Sequence, residues 1–110
     1  MARTALTVQS ISRVGTTPGY GAANADGHSF ENVGREFLQV KNTGTEKTVT
    51  VQTPGTVDGL AIEELTVTVA ATTGDKMIGP FPTHVFNQSG GVVYVDFSAV
   101  TGVTVAALRL

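Results

Sequence analysis

The feature that most limits this chain is the strict alternation of β-branched residues with polar ones, as in Thr48-Val49-Thr50-Val51 and Leu65-Thr66-Val67-Thr68-Val69. A period of two puts one side-chain set on each face of an extended strand, whereas a helix needs a period near 3.6. With 17 Thr and 16 Val in 110 residues, nearly a third of the chain favours the pleated sheet over the helix. No segment shows a helical period. The chain is therefore expected to be all-β, a single-domain β-sandwich of jelly-roll or immunoglobulin-like shape with about eight short strands.

Turn residues divide the alternating segments. An N-terminal stretch over residues 5–13 carries Leu6, Val8 and Ile11, with an irregularity between Val8 and Ile11 that suits a bulge. It reads as an edge strand or an extended arm covering residues 1–13. Residues 14–34 then lose the pattern: Gly15, Pro18, Gly19, Gly21, Asn24, Asp26 and Gly27 predict one long loop, anchored to the core by Phe30. Further strands are expected over 36–42, 48–53, 65–69, 76–81, 83–87, 92–98 and 103–110. Asn42 to Thr45 joins the first two of these as a hairpin, and Gly79-Pro80 marks an edge strand or a kink. The inward set is expected to be Leu38, Val40, Val49, Val51, Leu65, Val67, Val69, Ile78, Val93, Val95, Phe97, Val103 and Val105.

Motifs of chemistry are weak throughout. Asn24-Ala25-Asp26-Gly27 matches part of a calcium loop, but Ala22 and Val33 occupy the positions where that loop needs its first and last carboxylates. An Asx turn explains these residues without a cation. His28 and His84 are far apart in sequence and neither has a ligand-spaced neighbour; adjacent Glu63 and Glu64 would point to opposite faces of a strand. Gly19-Tyr20-Gly21 lacks the third glycine and the helix of a dinucleotide fingerprint, and Asn87-Gln88-Ser89 is read as turn chemistry. There is no cysteine. No catalytic residue, metal ligand or cofactor is expected, and the chain is not expected to be an enzyme.

Charge points the same way. Seven basic and nine acidic residues leave a net charge of -2, and Arg3, Arg13, Arg35, Lys41, Lys47, Lys76 and Arg109 stand singly. Neither a nucleic-acid groove nor a membrane partner is expected. The absence of a long apolar run predicts a soluble chain made in the cytoplasm.

Several longer words remain: Asn24-Ala25-Asp26-Gly27-His28, Phe37 to Asn42, Thr53 to Leu60, Ile78-Gly79-Pro80-Phe81-Pro82, Phe86-Asn87-Gln88 and Val93 to Ser98. Through these, over nearly its whole length, the chain resembles a group of small structural proteins of tailed bacteriophages. The resemblance implies a capsid decoration or cement protein on the outer surface of the virion, partnered by the major capsid protein. A head–tail connector or tail component, or a cellular sugar- or peptide-binding β module, are the alternatives. Virion proteins of this kind work in symmetric clusters, so self-association as a homotrimer is expected. The expected contact residues are Arg3, Leu6, Val8 and Arg13 of the arm, which would add a strand to a neighbour's sheet, and Tyr20, Asn24, Asp26, His28 and Phe30 of the loop.

Overall fold

The alternating segments pair as two facing sheets in a computed structural model that describes residues 3–110. The strands are β1 (Thr4–Ala5), β2 (Val8–Ser10), β3 (Gly21–Ala22), β4 (His28–Glu31), β5 (Glu36–Asn42), β6 (Lys47–Val51), β7 (Thr56–Val57), β8 (Leu60–Ala61), β9 (Leu65–Val69), β10 (Gly74–Ile78), β11 (Val92–Phe97) and β12 (Val103–Arg109). One short helix, α1 (Thr83–Phe86), lies between β10 and β11. The first sheet has the order β1-β4-β11-β6-β9; the second runs β10-β5-β12-β2, with β3 beside the first half of β12. Together they form an all-β sandwich.

Sheet order follows from how the chain changes layers. Strands β4, β5 and β6 alternate between the two sheets, and β11 then inserts between β4 and β6 while β12 pairs with β5 over seven residues. The sheet neighbours are thus distant in sequence. Inward residues of both sheets meet as one core of Phe30, Leu38, Val40, Val49, Val51, Val69, Ile78, Phe81, Val93, Val95, Val103, Val105 and Ala107. Val67 and Phe97 pack on its margin. Leu65, expected inside, is 36% exposed, because it opens an edge strand where no second sheet faces it.

Four further expectations need correction. Asn42 to Thr45 does not close a hairpin, because the chain changes layers there and β5 and β6 lie in different sheets. The expected strand over 83–87 is instead the helix α1 at Thr83–Phe86: the Pro82 carbonyl precedes the turn and accepts from the Val85 and Phe86 amides at 3.1 and 3.0 Å. The short sequence Thr-His-Val-Phe has no period long enough to reveal this. Within the expected loop of residues 14–34, β4 is an internal strand, with His28 and Phe30 buried between β1 and β11. Its four residues are too few for the alternation to stand out among the glycines. Finally, twelve strands form where about eight were expected, the excess being β4 and several two- and three-residue pairings.

The expected arm is also laid on its own domain. Strand β1 pairs in parallel with β4, and β2 pairs in parallel with β12, so the chain crosses from one sheet to the other at Leu6 and Thr7. Residues 1 and 2 of that arm lie outside the described residues.

Candidate interaction surface

The N-terminal segment is held by charge and by an imidazole. Arg3 donates to the Asp96 carboxylate at 2.7 Å and to the Val95 carbonyl at 3.2 Å, and its guanidinium lies 4.4 Å from the centre of the Tyr94 ring. Asp96 also accepts from the Gln52 amide at 2.9 Å. Burial pushes the Asp96 carboxyl up, but the hydrogen bonds from Arg3 and Gln52 and the Arg3 charge outweigh it and hold the group below its ordinary value. His28 lies beneath the same segment. Its Nε2 accepts from the Asn24 amide at 2.9 Å, so the neutral ring carries its proton on Nδ1, 3.1 Å from the Thr4 carbonyl. Burial lowers the pKa of this ring; the Thr4 carbonyl opposes that shift and the Arg3 charge adds to it. Both ring nitrogens are occupied by main chain, which leaves neither for a metal.

A second strap covers the outer face of the other sheet. The Gln9 side-chain amide exchanges two hydrogen bonds with the Gly19 backbone, both 2.8 Å. Tyr20 donates to Gln39 at 2.7 Å with Lys41 Nζ 4.5 Å from its ring centre. Ala106 and Leu108, which alternate away from the core on β12, are buried beneath this cover.

The nine residues expected to make contacts are therefore mostly internal. Arg3, Leu6, Asn24 and His28 come together, but as a clamp within one chain; Val8 pairs with Ala107, and Phe30 is core. Asp26 is half-buried in the Asn24–Gly27 turn, Tyr20 is half-buried in the strap, and Arg13 alone is exposed. Both tyrosine rings carry a cation on one face.

The free surface is elsewhere, on the side where β9 and β10 end their sheets. Gln52 N–H donates to Tyr94 O at 3.0 Å and Ser98 N–H to Thr48 O at 2.9 Å, which turns the even-numbered residues of this stretch toward β11. Val49 and Val51 consequently face β9, where they pair with Val67 and Leu65. By the alternation of antiparallel bonding, the amides and carbonyls of Thr66 and Thr68 point away from the sheet. The same reasoning from Thr43 N–H and Gly102 O turns Asp75 and Met77 of β10 outward. On β10, Lys76 lies opposite Val40 on the core side of its strand yet is exposed, a charge that blocks a neighbouring strand. Strand β9 has only Thr and aliphatic side chains.

Two apolar features flank this side. Between β6 and β9 the chain projects as the hairpin β7–β8, turned through Asp58 and Gly59, both at positive φ, as a tight two-residue turn requires. Its Val57 and Leu60 are 60% and 72% exposed. Thr53 donates to Ile62 O at 2.9 Å across its base, and Gly55 packs against α1 so closely that a Cβ would clash with the His84 carbonyl. The second feature is an open groove of about 530 Å³ lined by Gly34, Arg35, Phe37, Met77, Ile78, Gly79, Pro80 and Leu110. Neither feature was among the expected elements: Val57-Asp58-Gly59-Leu60 holds a two-residue turn signal that could have revealed the hairpin, whereas the groove is assembled from three separate segments. Comparison of the chain with family models, with curated proteins and with solved structures finds no match.

Proposed function

We propose that this chain is a non-enzymatic structural component of a tailed-bacteriophage virion, a decoration or cement protein bound to the outer surface of the shell formed by the major capsid protein. The observation that carries the reading is the open edge of β9. Thr66 and Thr68 present unpaired main-chain donors and acceptors on a rigid sandwich, and an extended segment of the shell protein can pair with them as an added strand. Such bonds need no reactive group and little sequence specificity. Many copies, each binding weakly to a repeating lattice, would brace neighbouring capsomers, since a copy bridging two of them holds both at high effective concentration. The sequence resemblance to small phage structural proteins supports the same role.

The test is co-sedimentation with shells of the major capsid protein encoded in the same genome. Thr68→Pro removes an outward-facing amide that makes no bond within the sheet, so the variant should fold with unchanged far-ultraviolet dichroism. Its occupancy on shells should fall at least about tenfold, equivalent to the roughly 1.4 kcal/mol of one net hydrogen bond. Wild-type occupancy by a folded Thr68→Pro protein would overturn the strand-addition reading, and binding of the intact chain only at the tail vertex would replace the cement role with a connector role.

A further inference from the structure

The hairpin and the groove both expose apolar side chains and carry opposite side-chain charges. Hairpin residues 56–64 hold three acidic residues, Asp58, Glu63 and Glu64, and no basic one. All three are exposed. The groove is lined by no acidic side chain, and its one charged side chain is that of Arg35. Among the described residues only two ion pairs form, Arg3 with Asp96 and Arg109 with Glu36, which leaves Arg35 and the hairpin carboxylates without partners. Each surface also exposes large aliphatic groups: Val57 and Leu60 on the hairpin, Met77 at 68% and Leu110 at 75% beside the groove. A single copy cannot satisfy itself, because the hairpin is tied at its base by Thr53 and seated on α1 through Gly55.

We infer that the β7–β8 hairpin of one copy docks in the Arg35–Phe37–Met77–Leu110 groove of a second copy. Val57 and Leu60 fill the apolar floor, and Asp58 or the Glu63–Glu64 pair meets Arg35 at the rim. The contact joins two different patches of the same chain, so each copy has one of each to offer and the assembly can close as a ring or as a reciprocal pair. Burial of two aliphatic side chains supplies the affinity, and the ion pair at the rim adds a modest, salt-screened contribution. This contact does not depend on the shell partner proposed above, and it is tested without shells.

The experiment is sedimentation velocity of the full chain with two single variants. Leu60→Glu spoils the hairpin and Met77→Glu spoils the groove; both positions are exposed, so each variant should keep the wild-type dichroism and melting profile. Wild-type protein should self-associate with increasing concentration, and each variant alone should weaken association at least about tenfold. Mixed in equal amounts, the two variants should associate again, because the intact hairpin of one meets the intact groove of the other. A wild-type chain that remains monomeric to about 1 mM, or an oligomer that neither variant disturbs, overturns the inference. An oligomer lost on Thr68→Pro and retained by both charge variants also overturns it and assigns self-association to the β9 edge.

Discussion

Replacing Glu36 with Gln tests how the start of β5 is held. The Glu36 side chain is fully buried, and its Oε1 accepts from the Val33 and Arg35 amides at 2.8 and 3.1 Å while Oε2 accepts from Arg109 Nε. Glutamine keeps the shape and one acceptor oxygen, so the two amide bonds survive. Its NH2 then faces the Arg109 N–H, donor against donor, and a guanidinium that is only 28% exposed loses its counter-charge. The charge-assisted bond that disappears is worth about 1.5–3 kcal/mol, and for a domain of this size roughly 2 kcal/mol corresponds to a fall in Tm of about 10 °C. Burial pushes the Glu36 carboxyl up, yet the hydrogen bonds from Val33, Arg109 and Arg35 and the Arg109 charge together hold it below the ordinary value. A depressed folded-state pKa stabilises the protein fully above the unfolded value, about 4.3, and that stabilisation is lost as pH falls through the folded value. Urea unfolding of both proteins should therefore show a constant gap from about pH 7 to 5, narrowing as the pH drops below about 4. Asp96 titrates in the same acidic range but is present in both proteins, so it cancels in the difference. A gap under about 0.5 kcal/mol at neutral pH, within the scatter of surface substitutions, or one that stays flat down to about pH 3, would refute the account.

Two other expectations follow from the core and the clamp. Phe81 is fully buried with Phe30 and Phe86 rings at 5.7 and 5.2 Å between centroids, so Phe81→Ala should cost about 3–5 kcal/mol; a loss below about 1 kcal/mol by denaturant titration would place the segment after β10 outside the core. For His28, with its folded pKa below 6.5, the unfolded chain takes up the proton first, so stability present above that pH declines as the pH falls through the folded value. A ring titration followed by NMR should show a midpoint below 6.5 and, on protonation, faster exchange of the Asn24 amide that Nε2 holds; a midpoint at or above the ordinary value would contradict the buried clamp.

Legibility from sequence tracked how much of a strand's environment was local. Strands β5, β6, β11 and β12 have alternating residues with one face in the core, and ten of the thirteen residues expected to point inward are buried. The failures have specific physical causes. Leu65 alternates like Val67 and Val69, but exposure rises from fully buried Val69 to Leu65 at the far end of the edge strand, which no period can show. His28 is a polar residue whose burial depends on two main-chain partners, Asn24 and Thr4, that no pattern foretells. Arg3 and Tyr20 looked available because nothing nearby in sequence pairs with them, and their partners Asp96 and Gln39 lie far along the chain. The β7–β8 hairpin of the candidate site is not among the expected elements, although Asp58-Gly59 between Val57 and Leu60 is the turn signal that could have revealed it. The open edge of β9 was not legible, because an edge is defined by the absence of a neighbour.

The position of β12 constrains the order of events during synthesis. This strand is interior to its sheet, between β5 on one side and β2 and β3 on the other, and Val8 near the start of the chain pairs with Ala107 near residue 110. A ribosome that has made residues 1–100 has therefore supplied both neighbours of a strand that does not yet exist. Loop closure over almost the full chain must precede those contacts, which makes folding slow relative to a locally paired meander. The nascent chain meanwhile carries β5 with β10 on one side and its other edge open, and its solubility at that stage rests on chaperones or on the polar alternate face of each waiting strand.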